Sequence, residues 1–372
     1  MTLPQVSSSP LTFIRRDVQG MHAYAVQDSR GMVKLDAMEN PFTLEPALQA
    51  KLGVALGAVA INRYPALRVD DLKIALKNYV SMPAGCELML GNGSDELISL
   101  LAMACLTAKD KPKNTILAPL PGFVMYEMSA QLQGLDFVGV PLTKDFELDE
   151  AAMLAAIAAH KPAITYIAYP NNPTANLWDA GAIKKIIAAC SAYGGLVVMD
   201  EAYQPFSSLT WLDEIRANPT ANENVLLMRT LSKFGLAGAR LGYMLGSKTL
   251  IDQIDKLRPP YNVSSLNAEI GIFALEYKDV FASQAESIKS ERERLMTALA
   301  AIPNVKPFPS AANMILVRFA DADATFAMLK SKGILVKNVS KMHSLLANCL
   351  RLTVGTPDEN TLLLKELGSV PN

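Results

Sequence analysis

The stretch "ITYIAYPNNPTANLWDAGAIKKIIAACSAYGGLVVMDEAY" (164–203) places two short apolar runs on either side of a helical pattern. The runs "ITYIAYP" (164–170) and "GLVVMDEAY" (195–203) are β-branched or aliphatic on both faces, which is typical of buried parallel strands. The segment between them, "AGAIKKIIAACSAYG", is interpreted as a helix. The stretch therefore predicts a strand–helix–strand unit.

The alternation extends in both directions along the chain. The runs "TILAPL" (115–120) and "NVLLMRT" (224–230) are two further strands of the same type, and "YEMSAQLQG" and "AAMLAAIAAHK" are two further helices. Repeated units of this kind predict an α/β fold, in which helices flank a mostly parallel central sheet.

The pattern changes in the last third of the chain. A long polar helix is expected over 267–300, and it leads to three strand-like runs, "NMILVRF" (313–319), "GILVKNV" (333–339) and "CLRLTVG" (349–355). These elements predict a smaller α/β domain, formed by the C-terminal part and an N-terminal segment. The predicted division is an N-terminal arm that is part of the small domain (1–38), a large domain with the central sheet (39–260) and a small C-terminal domain (261–372).

The bulk composition disfavours several classes of function. The chain has 372 residues, of which 50% are hydrophobic and 19% charged, and its net charge of −1 gives no sign of a basic surface for nucleic acid. The N-terminal residues lack the apolar core of a signal peptide, and the most apolar helical stretch, "AAMLAAIAA" (151–159), is too short to cross a bilayer. The four cysteines and three histidines are scattered, which argues against a metal site. We expect a cytoplasmic protein with no membrane or nucleic-acid partner.

Polar side chains follow three of the predicted strands. Asn172 follows the first strand of the quoted unit, and Asp200 and Tyr203 close the second. Lys233 follows the next strand along the chain. Because ligands bind beyond the carboxyl ends of the strands in an open parallel sheet, these residues are candidates for one binding site.

The stretch "LGNGSDELISLLAMACL" (90–106) predicts a site for an anion. Its glycines, including Gly93, make a tight turn, and Ser94 and Asp95 begin an apolar-periodic helix. Exposed N–H groups and the positive end of the helix dipole favour a phosphate at this point. The alternative is that Ser94 or Asp95 only caps its own helix. Because no lysine follows the glycines as in a nucleotide P-loop, the phosphate would belong to a monoester.

The stretch "RTLSKFGLAGARLGY" (229–243) supplies partners for such a phosphate. Thr230, Ser232 and Arg240 can converge on it, the hydroxyls as donors and the guanidinium as a bidentate clamp. Lys233 lies beside them and can form a Schiff base with an aldehyde on the same cofactor.

The strand-end residues complete the description of this cofactor. Asp200 would pair with a protonated pyridine nitrogen and keep the ring an electron sink, while Asn172 and Tyr203 would hold a ring hydroxyl. A phosphate monoester, an aldehyde, a pyridine nitrogen and a ring hydroxyl together fit pyridoxal 5′-phosphate.

The motifs "NNPT", "DEAY" and "TLSK…R", in this order, resemble those of the fold-type I, pyridoxal-phosphate-dependent aminotransferases, and the resemblance covers nearly the whole chain. Within that family the chain resembles the histidinol-phosphate aminotransferases. The segments that carry this resemblance are "LDAMENPF" (35–42), "NRYP" (62–65), "GNGSDELI" (91–98), "PGFVMY" (121–126), "RTLSK" (229–233), "LAGARLGY" (236–243) and "CLRLTVGT" (349–356).

The resemblance implies a role for each matching residue. Lys233 is the catalytic lysine that holds the cofactor and moves the proton of the substrate α-carbon, and Asp200 and Tyr203 assist it. Phe123 stacks on the cofactor ring. Tyr64 reaches the cofactor phosphate of a neighbouring subunit, which implies a homodimer. The residues on the substrate side are Tyr24, Glu39, Asn40, Lys337 and Arg351.

The resemblance also implies a reaction. It is the transamination between L-histidinol phosphate and 2-oxoglutarate in histidine biosynthesis, with imidazole acetol phosphate and glutamate as the other pair. Two alternatives share nearly all of this cofactor site, an aromatic amino-acid aminotransferase and an amino-acid-phosphate decarboxylase. A cofactor-sensing regulator of transcription is disfavoured, because "LDAMENP" begins at residue 35 and leaves no room ahead of it for a DNA-binding module.

Five positions depart from the family pattern. Phe123 stands where many relatives have tyrosine, Ala175 replaces a glycine after "NPT", and Met38 replaces a common asparagine before "ENP". Lys337 stands where a second substrate-binding arginine is common, and Arg240 follows the catalytic lysine by seven residues instead of eight. None of these changes removes a group that the reaction requires, but Met38 and Lys337 bear on the choice of substrate.

Overall fold

A computed structural model of the chain describes residues 11–20, 27–107 and 112–368. The strands are β1 (Val33–Leu35), β2 (Cys86–Gly91), β3 (Thr115–Leu120), β4 (Asp136–Pro141), β5 (Ile164–Ala168), β6 (Leu196–Asp200), β7 (Val225–Thr230), β8 (Gly242–Ser247), β9 (Lys306–Pro307), β10 (Met314–Arg318), β11 (Ile334–Asn338) and β12 (Cys349–Thr353). The helices are α1 (Arg16–Gln19), α2 (Pro46–Gly57), α3 (Ala66–Tyr79), α4 (Ser94–Ala104), α5 (Met125–Gln133), α6 (Glu150–His160), α7 (Ala180–Ser191), α8 (Trp211–Ala217), α9 (Lys248–Ile254), α10 (Ser265–Glu276), α11 (Lys278–Ala300), α12 (Ala322–Ser331) and α13 (Pro357–Leu367).

Seven strands form the large sheet, in the order β2-β8-β7-β6-β5-β3-β4. The pairs from β7 to β4 are parallel, and only β8 runs antiparallel to its two neighbours. The runs predicted as strands at 115–120, 164–170, 195–203 and 224–230 contain β3, β5, β6 and β7. The prediction of an α/β fold with a mostly parallel central sheet is therefore confirmed.

Burial on both faces of the large sheet explains why its strands do not alternate apolar and polar residues. Every residue of β5 and of β7 is buried, because helices cover the sheet above and below. One of them, α7, buries Ile183, Ile186 and Ile187 at helical spacing. Its first turn is fixed by Asp179, whose side chain accepts the Ala182 N–H at 2.8 Å.

The small sheet has the order β1-β11-β12-β10-β9. Its edge strand β1 comes from the N-terminal segment and pairs in parallel with β11, so that Lys34 lies beside Leu335. The smaller unit is thus formed by the C-terminal part and an N-terminal segment, as expected. The domain boundaries at 38/39 and 260/261 stay a prediction.

The single long helix expected over 267–300 is wrong, because the chain forms two helices there. Tyr277, between α10 and α11, has φ −102° and ψ 28°, which lie outside the helical range. Helix α10 packs on α3 and buries Ile272 in the core around the large sheet, whereas α11 buries Ile288 in the core around the small sheet. The break lets α10 pack in the core around the large sheet while most of the buried residues of α11 pack in the core around the small sheet. None of the helices in the described ranges is long and apolar enough to span a bilayer.

Candidate active site

The carboxyl ends of β5, β6 and β7 open onto one cavity. Parallel pairing places Ala168 beside Asp200, and Asp200 beside Met228, so the three strands end at the same level. The predicted site residues that line this cavity are Ser94, Asp95, Phe123, Asn172, Asp200, Tyr203, Thr230, Ser232, Lys233 and Arg240. The fold therefore brings together residues that are up to 146 positions apart in the sequence, from Ser94 to Arg240.

Asp200 is the last residue of β6 and is almost fully buried. Its Oδ1 accepts the Ala202 N–H at 3.0 Å, and its Oδ2 accepts the Tyr126 hydroxyl at 2.6 Å. Burial raises the pKa of Asp200 to about 6, against the opposing effect of these two hydrogen bonds. The carboxylate is therefore mostly ionised at neutral pH and lines the cavity as a counter-charge for a cationic group.

Lys233 lies in the turn Ser232–Leu236 that follows β7. Its Nζ donates to the carbonyl oxygen of Ala37 at 2.9 Å and lies 6.0 Å from the centre of the Tyr203 ring. Burial, and then the positive charge of Arg351, lower the pKa of Lys233 to about 8. A lysine with this pKa has a substantial neutral fraction near pH 8, as a nucleophile or a base requires.

The turn before α4 presents backbone N–H groups to the cavity. Gly93 precedes the helix with φ 81°, a left-handed conformation that glycine adopts without strain. Within the described part of the chain no side chain caps this helix, so the alternative that Ser94 or Asp95 caps its own helix is wrong. The first N–H groups of α4 are thus free of a side-chain cap and can bind an anion.

Arg240 closes the other side of this turn. Its Nη2 lies 3.3 Å from Asp95 Oδ2, and its Nη1 lies 3.5 Å from Ser232 Oγ, which in turn accepts the Thr230 hydroxyl at 2.9 Å. A methyl group on Gly93 would come within 2.7 Å of Arg240 Nη2, so only glycine lets the guanidinium reach the turn. Hydroxyls, a guanidinium and helical N–H groups are the donors that a phosphate needs. These residues therefore fit the phosphate of the predicted cofactor.

Arg351 connects the small sheet to this cavity. It lies on β12 opposite Lys337 of β11. Its Nη1 donates to Asn172 Oδ1 at 2.7 Å, and its Nη2 donates to the carbonyl oxygen of Asp36 at 2.7 Å. Asn172, which was predicted to hold the ring hydroxyl, therefore also orients the arginine predicted to hold the substrate.

The other residues predicted on the substrate side lie beside the cavity or outside the description. Glu39 forms an ion pair with Lys34, with 2.5 Å between Oε2 and Nζ. Asn40 Nδ2 donates to Gln284 Oε1 at 2.9 Å and is thus engaged within the fold. Tyr24 lies outside the described residues.

Tyr64 is separate from the cavity of its own chain. Its side chain is 77% exposed, and its ring stacks on that of Tyr261 with 4.5 Å between the ring centres. The exposed part of the side chain is accessible to a molecule that approaches from outside.

Two departures from the family pattern have a backbone explanation. Met38 has φ 51° and Ala175 has φ 65°, both in the left-handed region that asparagine and glycine adopt most readily. The asparagine and the glycine that are common at these positions in the family thus suit the backbone better. Met38 also lines the cavity, and its backbone N–H donates to Thr353 Oγ1 at 3.0 Å.

Sequence reasoning missed three charged or polar residues around the site. Tyr126 belongs to the quoted segment "PGFVMY", from which only Phe123 was selected, yet it is Tyr126 that contacts Asp200. Glu201 and Arg229 form a buried ion pair of 2.8 Å immediately beside the site residues of β6 and β7. Opposite charges at the ends of neighbouring strands were the available signal for this pair.

Comparisons with known proteins identify the family of the chain. The model of the family "Aminotransferase class I and II" matches residues 30–367. The chain is 61% identical over 367 residues to the histidinol-phosphate aminotransferase of Methylibium petroleiphilum, with 99% of this chain and 97% of that protein covered. It is 62% identical over 369 residues to that of Polaromonas naphthalenivorans, with 99% of each covered.

A solved structure of the same family also matches the fold of this chain. The histidinol-phosphate aminotransferase of Sinorhizobium meliloti, solved in complex with pyridoxal-5′-phosphate, superposes with a TM-score of 0.82 at 25% identity. The match covers 96% of this chain and 97% of that one. The chain therefore belongs to the class I and II aminotransferases and, within them, to the histidinol-phosphate aminotransferase family.

Proposed function

We propose that this protein is a pyridoxal 5′-phosphate-dependent enzyme that transfers the amino group of L-histidinol phosphate to 2-oxoglutarate. The products are imidazole acetol phosphate and glutamate, and the reaction belongs to histidine biosynthesis. The observation that carries the proposal is the identity of 61% and 62%, over nearly the whole chain, to two relatives named for this activity. The cavity that Lys233, Asp200 and Arg240 line together supports the cofactor.

Each part of the cofactor has a partner among the cavity residues. When bound, pyridoxal 5′-phosphate supplies an aldehyde that captures an amino group and a ring that withdraws electrons. The N–H groups at Ser94 and the guanidinium of Arg240 bind the phosphate. The Asp200 carboxylate holds the proton on the pyridine nitrogen, while Asn172 and Tyr203 orient the ring through its hydroxyl.

Lys233 is the proposed base of the reaction. Its amine removes the proton from the substrate α-carbon and returns a proton during the second half of the exchange. Because the pKa of Lys233 is about 8, its neutral fraction falls about tenfold for each pH unit below that value. We therefore expect the proton-transfer step to accelerate as the pH rises toward 8.

Arg351 is proposed to hold the charged end of both substrates. Its planar guanidinium can bind either the phosphate of histidinol phosphate or a carboxylate of 2-oxoglutarate through two hydrogen bonds. Its two terminal nitrogens donate to the side-chain oxygen of Asn172 and the carbonyl oxygen of Asp36, and these contacts hold the guanidinium beside the cavity residue Asn172. Lys337 on the neighbouring strand adds a second positive charge beside it.

We also propose that the enzyme is a homodimer. Four apolar or aromatic side chains, Val54, Ile61, Tyr64 and Leu67, are each at least 77% exposed in the segment 54–67. Clustered exposed apolar residues favour an interface, and a second copy placed there would let Tyr64 contact its cofactor phosphate. Light scattering tests this proposal, because a dimer has twice the 40.2 kDa of the chain. A fully active monomer would exclude it.

A panel of amino donors, with 2-oxoglutarate as acceptor, tests the function. The kcat/KM for glutamate formation is compared among histidinol phosphate, histidine, phenylalanine and tyrosine. We expect histidinol phosphate to be favoured by roughly tenfold or more, because its phosphate carries nearly two negative charges for Arg351 and Lys337. A preference for phenylalanine or tyrosine would identify an aromatic aminotransferase instead. Release of carbon dioxide from a phosphorylated amino acid would identify a decarboxylase.

A further inference from the structure

We propose that Tyr126 is a positioning residue, which holds Asp200 in its ionised form and fixes the direction of its carboxylate. The inference deepens the proposed function, since it rests on the role given there to Asp200. Tyr126 Oη donates to Asp200 Oδ2 at 2.6 Å, and the two side chains are almost fully buried, with relative exposures of 2% and 5%. A hydrogen bond of this length to a carboxylate is in the charge-assisted range.

The ring of Tyr126 is held rigidly. It stacks on Tyr166 with 4.1 Å between ring centres and 7° between ring planes, and Phe123 meets it edge-on at 5.6 Å. Burial raises the pKa of the Tyr126 hydroxyl well above its usual value, so the group stays protonated and can only donate to the carboxylate. The hydroxyl therefore acts as a fixed donor.

The electrostatic surroundings make Asp200 depend on this donor. Burial and the negative charges of Asp95 and Glu201 favour its protonated form, whereas Tyr126 and the Ala202 N–H favour the carboxylate. Without the Tyr126 hydroxyl, only the weaker contact of the two remains, at 3.0 Å. The titratable groups that act on the pKa of Asp200 are Tyr126, Asp95 and Glu201. The charge of Asp200 in turn raises the pKa values of Tyr126, Tyr166 and Tyr203.

The consequence is a defined pH dependence of cofactor binding. The cofactor ring needs an ionised Asp200, so affinity falls as the pH decreases through the pKa of that carboxyl in the cofactor-free protein. Removing the Tyr126 hydroxyl raises this pKa further, and the fall in affinity then begins at a higher pH. The shift is expected to be about one pH unit, because a hydrogen bond to a charged group favours its ionised form enough to lower its pKa by about one unit or more.

The experiment measures the dissociation constant of pyridoxal 5′-phosphate from the full-length, cofactor-free protein between about pH 5 and 8. We call the low-pH part of this profile, where affinity falls, its acid limb. For Tyr126→Phe we expect the acid limb to lie about one pH unit higher than in wild type, with affinity near pH 8 within about twofold of wild type. The matched control is Tyr166→Phe, which removes a buried hydroxyl that has no hydrogen-bond partner among the described residues. Its acid limb should coincide with that of wild type. Titration of the cofactor's own phosphate affects every variant equally and cancels in the comparison.

Two further variants keep the test decisive. Replacing Tyr126 by 3-fluorotyrosine preserves the ring and makes the phenol a stronger donor, so the acid limb should move to lower pH. With Asp200→Asn the affinity should be low at every pH. If Asp200→Asn binds the cofactor as wild type does, the proposed role of Asp200 fails. If that variant is impaired but both changes at Tyr126 leave the acid limb in place, the inference about Tyr126 is wrong.

Discussion

Replacing Asp200 by asparagine is expected to stabilise the cofactor-free protein at neutral pH, although it impairs the cofactor site. Burial raises the pKa of this carboxyl from its usual 3.8 to about 6 in the folded protein. The folded state therefore binds the proton more tightly than the unfolded chain, and the free energy of unfolding decreases as the pH rises from about 4 to about 6. At neutral pH the folded protein has lost all of the stability that the protonated carboxyl would contribute. Two pKa units correspond to roughly 3 kcal/mol, which asparagine avoids because it carries no charge.

Urea unfolding of the cofactor-free protein and the variant, followed by circular dichroism, measures this difference. The difference in the free energy of unfolding between the two proteins should increase by roughly 1.5 kcal/mol between about pH 5 and 7.5, with Asp200→Asn the more stable protein. Asp145→Asn is the matched control, since that carboxylate is exposed, and its difference from wild type should be small and flat. A flat difference for Asp200→Asn, or a variant less stable than wild type at pH 7, would refute the reasoning.

Three further substitutions test other parts of the site. Lys233→Ala should abolish turnover and the visible absorbance of the lysine-bound cofactor, and a variant with near wild-type turnover would show that another residue holds the cofactor. Gly93→Ala should weaken cofactor affinity by roughly tenfold or more, because its methyl group displaces Arg240; Gly134→Ala, which has a similar φ of 74° and no atom near the new methyl group, should bind the cofactor normally. Arg351→Ala should reduce kcat/KM in both half-reactions by roughly 30-fold or more, and Arg351→Lys should recover only part of the loss; single-turnover rates that show one half-reaction unaffected would exclude a shared arginine.

Buried parallel strands were predictable because their signal is local. Strand β5 is buried at every residue, so its sequence is a short apolar run that ends at a proline and two asparagines. The break at Tyr277 was not predictable in the same way. No glycine or proline lies next to this residue, and the two helices are distinguished by tertiary packing, since α10 packs in the core around the large sheet and most of α11 packs in the core around the small sheet.

In the candidate site, too, local features could be predicted from the sequence and long-range contacts could not. Asn172, Asp200 and Lys233 could be selected because each lies at the end of a recognisable strand or within four residues of it. The contacts that set their chemistry come from distant segments and carry no local pattern. Lys233 donates to a backbone carbonyl 196 positions away, and Arg351 reaches Asn172 across 179 positions. The left-handed backbone at Met38 and Ala175 was equally invisible in the sequence, because neither residue type favours it.

The most direct test of the central claim is a single turnover in two stages. The cofactor-loaded enzyme is first mixed with L-histidinol phosphate alone, and 2-oxoglutarate is added only after the first reaction has stopped. We expect about one equivalent of imidazole acetol phosphate per active site in the first stage, and about one equivalent of glutamate in the second, as in a ping-pong exchange. Absence of imidazole acetol phosphate in the first stage, together with a stoichiometric keto product from phenylalanine or tyrosine under the same conditions, would contradict the claim.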